Sequence, residues 1–117
     1  MIIIHKKNPE SFLNHHQNIH ISFLIKYDLS IENHFLFSAL TANSIIKFLD
    51  KYIDENINIK WPNDILLNGK KICGILLETK VLDNITALVI GIGVNLLSAP
   101  NLAEDHTVTT EPSSILD

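Results

Sequence analysis

No arginine occurs in this chain. All nine basic residues are lysines, thirteen acidic residues outnumber them, and the formal net charge is −4 at pH 7. A surface that tracks nucleic acid normally carries a basic stripe, so this balance argues against a nucleic-acid partner. A lone cysteine, Cys73, excludes an internal disulfide and fits a reducing cytosol. Long apolar runs are missing too. Nothing approaches the roughly 20 apolar residues of a membrane span, and the opening "MIIIHKK" is too short for the apolar core of a signal peptide. The expected setting is cytoplasmic and soluble, with no membrane contact. Neither repeats nor low-complexity tracts interrupt the 117 residues, of which 46% are apolar and 19% charged. This is the make-up of one globular domain with a single core.

What is present changes period along the chain. The first 18 residues, among them "NPESFLNHHQN", are polar and turn-like. From Ile19, "IHISFLIK" alternates Ile19, Ile21, Phe23 and Ile25 against His20, Ser22, Leu24 and Lys26, the pattern of a strand with one apolar face. Leu36, Ala39, Leu40, Ile46, Leu49 and Ile53 then recur at helical spacing and predict a helix over about 31–54. Ser30 suits its N-cap, and Glu32 suits the positive end of its dipole. Ile57 to Lys60 reads as a short strand ended by Pro62, which has no N–H to give a ladder. Ile65 to Leu67 and Ile72 to Glu78 flank Asn68-Gly69, the signature of a type I′ hairpin. Leu88 to Val94 is nearly continuous apolar sequence, as in the middle of a sheet. Strand, helix, strand, hairpin and strand predict an α/β (α+β) domain: a mixed, mainly antiparallel sheet with a helix on one face.

The stretch "KWPNDILLNGKKICGILLE", 60–78, sets the only tryptophan beside a proline, an amide and a carboxylate, and adds paired lysines before a buried-looking strand. With a two-residue turn at Asn68-Gly69, Leu67 pairs with Lys70, Leu66 with Lys71, Ile65 with Ile72 and Asp64 with Cys73. That register puts Asp64, Leu66, Lys71 and Cys73 on one face. Asp64 and Lys71 become diagonal neighbours, about 7–8 Å apart at Cα, a gap that lysine's stem or a ligand oxygen can fill. An exposed salt bridge is the plain alternative for this pair, and a packed corner is the alternative for Trp61-Pro62. "GIGVN", 91–95, lacks the third glycine and following helix of a dinucleotide fingerprint. Its paired glycines point instead to close approach of a backbone or ligand. His15, His16 and His20 in "HHQNIH" offer no third partner and no intervening glutamate, so a zinc site is not expected. Cys73 reads as an inert core thiol.

The order of these blocks resembles the catalytic domain of the biotin protein ligases: "KWPND", a short hairpin, "KKICGILLE", then an apolar strand ending "IGIGVN". The likeness runs from about 19 to 97 and takes in the "NIHISF" strand and the helix after it. It implies an incomplete class II synthetase-like biotin/lipoate ligase catalytic domain over 19–117, preceded by an unmatched segment over 1–18. Members of that family join biotin to ATP as biotinyl-5′-adenylate and then pass biotin to a lysine of a biotin carboxyl carrier protein. ATP, biotin and Mg2+ are therefore the implied small molecules. Bringing a carboxylate to a phosphate sets two anions together, which fixed positive charge and held geometry must offset.

By that resemblance Lys71 is the principal cation, on biotin's carboxylate and the α-phosphate, and Lys60 adds positive charge near the phosphates. Asn63 and Asp64 hold the adenylate or its magnesium, and Asp64 orients or deprotonates the incoming lysine. Gly74, Ile75 and Leu76 bring backbone to biotin. Gly91, Gly93 and Asn95 line the biotin and adenine side, and Trp61-Pro62 stiffens the segment presenting Lys60, Asn63 and Asp64. The family's arginine- and glycine-rich adenylate loop finds no counterpart here, nor do the helices and small β-barrel that follow the catalytic core. The resemblance thus implies a central portion truncated at both ends. A lipoate protein ligase and a non-catalytic module that binds biotin or the carrier are the alternatives, and an exposed sheet edge permits a homodimer.

Overall fold

Along the chain run β1 (Ile19–Lys26), α1 (His34–Leu49), β2 (Ile57–Lys60), β3 (Asp64–Leu67), β4 (Lys70–Leu82) and β5 (Ile85–Val94). The computed structural model describes residues 18–26, 33–82, 85–97, 99 and 110–116. Ser30, Glu32, His15 and His16, singled out in the sequence, lie outside them. The strands make one sheet in the order β1-β5-β4-β3-β2, and every neighbouring pair is antiparallel. Three consecutive hairpin pairings build β2 to β5, and β1 adds to the free side of β5, leaving β1 and β2 as edges. The expected parallel contribution reduces, among the described residues, to one bridge between Lys71 and Pro112. No helix among them is long and apolar enough to cross a membrane.

The helix is shorter than its apolar spacing predicts. Past Leu49 the backbone tightens: the Lys51 N–H donates to the Phe48 carbonyl at 3.3 Å and the Tyr52 N–H to the Leu49 carbonyl at 2.8 Å. These i→i+3 bonds close the last turn, so Ile53 packs against the core from a turn. The buried stripe also differs. Ser38, Ala42 and Leu49 face the sheet, whereas Leu36 and Leu40 stand 55% and 52% exposed. Small side chains at Ser38 and Ala42 let the helix axis come close, and the bulky leucines are turned to its flanks. Ser38 also donates its hydroxyl hydrogen to the Pro62 carbonyl at 2.8 Å, fixing the helix to the corner before β3.

Strand alternation places Ile65, Cys73, Ile75, Leu88 and Ile90 on one face of the sheet, where with Ala42 and Leu49 of α1 they form the core. Each fully buried aliphatic side chain contributes about 1.5–3 kcal/mol, so this face holds the fold and leaves the other free for function. At the turn, Asn68 and Gly69 have φ of 50° and 81°, as a type I′ hairpin requires. Leu67 and Leu66 pair with Lys70 and Lys71 as the sequence predicts, but Ile65 then pairs with Cys73 and Asp64 with Gly74. Ile72 is the extra residue of a β-bulge. The core supplies the reason: with the bulge, Ile72 and Cys73, at 0% and 1% exposure, are both buried. The expected face shared by Asp64 and Cys73 is therefore not formed.

Candidate active site

The bulge decides what stands beside Asp64. Unbroken pairing would have set the Cys73 side chain there; the shifted register sets Gly74, which has none. A row of directly opposed residues crosses the sheet on the face away from α1: Lys60, Asp64, Gly74, Gly93 and His20, one per strand. Next to it Leu76, Gly91 and Ser22 make a second row. Three glycines thus form a bare floor between a charged side and a histidine side. The groove has a volume of about 460 Å³ and is lined by Asp64, Lys71, Gly74, Gly91, Gly93 and His20, with Asn63, Ile75, Leu76 and Ser22 among its other walls.

At the charged side Lys71 reaches along the diagonal and sets Nζ 2.8 Å from Asp64 Oδ1. The carboxylate is the more shielded partner, 18% exposed against 38% for the lysine, so the ammonium is the charge presented to the groove. A Cβ at Gly74 would lie 3.4 Å from Lys71 Cε and 3.5 Å from its Nζ, which places the ammonium directly above the glycine. Asn63 clamps the start of β3 to β4. Its carbonyl accepts the Ile75 N–H at 2.8 Å, and its side-chain amide donates to the Ile75 carbonyl at 3.1 Å.

Segment 110–116 supplies partners where the bulge withdraws them. The Lys71 N–H donates to the Glu111 carbonyl at 2.8 Å, and the Lys71 carbonyl accepts the Ser113 N–H at 2.9 Å. The Ile72 carbonyl accepts the Asn95 N–H at 2.8 Å, and Asn95's side-chain amide donates to the Ser113 carbonyl at 3.0 Å. A buried backbone polar group needs such a partner, so this strap fixes the backbone that carries Lys71. The Lys60 ammonium donates to the Thr110 hydroxyl. Lys60 and Asn95 therefore hold the strap beside the groove, and neither lines it.

Of the other residues picked out in the sequence, Trp61 stacks on Phe35 with ring centroids 5.9 Å apart, and its peptide to Pro62 is cis. Cys73 points into the core. Burial pushes its thiol up to about 12, against a smaller downward pull from the Lys71 ammonium and with a further upward push from Asp64. It is no nucleophile at neutral pH. Among the described residues no group of three or more His, Cys, Asp or Glu could hold a metal ion. Sequence reasoning missed the wall given by His20 and Ser22. Their place on the polar face of the alternating β1 pattern was the available signal. It also missed the strap, because a segment of seven residues making one bridge carries no periodicity.

A family model described as the Biotin/lipoate A/B protein ligase family matches residues 10–95. A biotin–[acetyl-CoA-carboxylase] ligase of Paracoccus denitrificans is 48% identical over 58 residues, 49% of this chain and 24% of its own length. The bifunctional ligase/repressor BirA of Bacillus subtilis (strain 168) is 34% identical over 82 residues, 69% of this chain and 25% of its own length. The chain thus spans about a quarter of the curated relatives it matches. In fold, it is similar to the biotin protein ligase from Aquifex aeolicus solved in complex with biotin and ATP. The TM-score is 0.61 at 22% identity, covering 84% of this chain and 39% of that one.

Proposed function

Because the chain belongs to the biotin/lipoate A/B protein ligase family, we propose that its glycine-floored groove holds biotin against ATP for ATP-dependent biotin–protein ligation. In the first step a carboxylate oxygen of biotin attacks the α-phosphorus, the bond to the β-phosphate breaks, and pyrophosphate leaves from biotinyl-5′-AMP. In the second, the ε-amine of a lysine on a biotin carboxyl carrier protein attacks the acyl carbon. An amide forms, AMP leaves, and the amine's proton passes to a base, for which Asp64 is the nearest carboxylate. One observation carries the reading: an ammonium held 2.8 Å from a shielded carboxylate, directly over a glycine in the lining of a groove of about 460 Å³.

Lys71 then lies between the two anions that the first step must bring together, where fixed positive charge lowers the barrier most. Gly74, Gly91 and Gly93 let ligand atoms rest on backbone, Leu76 gives the groove an apolar wall, and Ile75, whose side chain is buried in the core, contributes backbone. Lys60, Asn63 and Asn95 act mainly by holding Asp64 and Lys71 in place, with Lys60 adding positive charge toward the phosphates. Mg2+ is commonly held by one or two carboxylates together with substrate phosphates, and Asp64 is the carboxylate that fits this part. The ion would supply further positive charge to the phosphates. A reducing compartment, the cytoplasm, suits a chain whose one cysteine is a buried free thiol.

Biotin-dependent exchange of pyrophosphate into ATP tests the reading. Lys71→Ala is expected to lower exchange by roughly 10²–10³-fold, the effect of removing one transition-state donor. Lys70→Ala, which removes an exposed lysine paired with Glu111, leaves exchange unchanged. Lipoate in place of biotin separates the two acids of the family. A chain that binds biotin by calorimetry without exchanging pyrophosphate is a binding module, and one that does neither overturns the proposal.

A further inference from the structure

Three hydroxyl side chains stand on α1, and two of them bond as helix hydroxyls ordinarily do. Thr41 and Ser44 donate back to the carbonyls of Phe37 and Leu40, four residues earlier, at 2.7 and 2.8 Å. Ser38 does not. Its hydroxyl, on a residue only 5% exposed, donates outside the helix to the Pro62 carbonyl at 2.8 Å. That carbonyl belongs to the peptide leading into Asn63, and Asp64 is the next residue. Three residues before Ser38, on the same side of the helix, Phe35 stacks on Trp61 with ring centroids 5.9 Å and planes 28° apart. The helix thus grips two consecutive residues of the corner, one by a ring and one by a hydrogen bond. Lys71 has a separate support, since its N–H and its carbonyl are both bonded to segment 110–116.

We infer that Ser38 is a positioning residue that sets Asp64 for the second step, transfer of biotin to the carrier lysine, while the strap sets Lys71 for the first. The inference rests on the proposed function, which gives the amine's proton to Asp64. A base acts only within hydrogen-bond reach of the proton it takes, about 2.6–3.2 Å, so a shift of the corner is felt at that contact first. Asn63 fixes the far side of the corner to Ile75 through both its carbonyl and its amide. Ser38 fixes the near side to the helix. Without its hydroxyl the peptide that leads into Asn63 loses this bond to α1, and Lys71 keeps its own two.

Measuring the two steps apart on the full chain tests it. Exchange of pyrophosphate into ATP reports the first, and transfer from preformed biotinyl-5′-AMP to a purified biotin carboxyl carrier protein reports the second. Ser38→Ala removes one oxygen and keeps a strong helix former. It is expected to lower kcat of transfer by about tenfold, one hydrogen bond's worth, with KM for the carrier unchanged and exchange within about twofold of the parent. Ser38→Cys, of similar size and with a weak S–H donor, recovers part of the loss. Phe35→Ala, at a position 61% exposed, loosens the other half of the grip and carries the same test should Ser38→Ala fail to fold. A helix that only stabilises the fold would lower both steps together. An equal fall in both, or no fall in transfer, therefore overturns the role of Ser38 alone. A parent that exchanges pyrophosphate but transfers nothing overturns this inference and leaves adenylation standing. If the parent does neither, the proposed function falls, and this inference with it.

Discussion

A glycine on a strand is either a weakness or a vacancy kept for something else, and the surroundings of Gly74 and Gly91 distinguish the two. A Cβ at Gly91 would meet only the Leu76 carbonyl oxygen at 3.7 Å and Leu76 Cβ at 3.8 Å; at Gly74 the nearest atom would be Lys71 Cε at 3.4 Å. These are ordinary contact distances, so the fold itself has room for alanine at both positions. An interior strand glycine lowers stability, and Gly→Ala at a permissive position adds about 0.4–1 kcal/mol through the unfolded chain. Gly91→Ala is therefore expected to match or exceed the parent in urea midpoint, while its Kd for biotin rises at least tenfold. Urea denaturation and calorimetry on the same variant check both halves. A variant as stable as the parent that binds biotin equally well would show that the floor need not be bare.

At the scale of elements, the β3–β4 hairpin carries the site, and its turn is the part most exposed to a single change. Gly69 has φ of 81° with nothing within 4 Å of a built Cβ. The cost of Gly69→Ala is then backbone strain with no steric component, on the order of 1 kcal/mol. A lowered urea midpoint with unchanged slope is the expected result. A larger loss with a changed slope would mean that the hairpin's register, and with it the Asp64–Lys71 pair, depends on this turn. The Asn-Gly turn was legible because a two-residue loop with positive φ has a sharp local signature, and so were the first two pairs beyond it. The bulge at Ile72 was not. Its cause is competition for the core between Ile72 and Cys73, a tertiary effect with no marker in the local pattern. Helix limits failed in the same way: Ile53 kept its apolar period while its backbone had already turned. Lys71, Asp64, Gly74, Gly91 and Gly93 were legible as a constellation through block order. His20 was set aside because it was weighed as a metal ligand and not by the face it occupies.

Among the described residues the packing on the sheet is lopsided. α1 lies over β2, β3 and β4, and its backbone stays clear of β1 and β5. Between the helix and that half of the sheet runs an apolar groove of about 650 Å³, whose walls include Ile21, Phe23, Leu40, Phe48 and Ile92. Leu40 and Phe48 stand 52% and 58% exposed at its rim. Contiguous apolar surface of this kind is uncommon on soluble monomers, and it adjoins the core, so its hydration bears on the stability of the whole sheet. The chain is accordingly expected to enhance the fluorescence of an apolar-surface dye such as anilinonaphthalene sulfonate under native conditions, with far-UV dichroism intact and a sharp urea transition. The paired substitution Leu40→Lys and Phe48→Lys should remove at least half of that signal. Because both positions are exposed, it should shift stability by less than about 1 kcal/mol. Native chain that leaves the dye dark has this face covered, and gel filtration then separates cover by a second copy from cover by residues of the same chain. In either case the glycine-floored groove on the opposite face keeps its shape, since Asp64, Lys71 and the glycine rows are fixed by strand register and by segment 110–116.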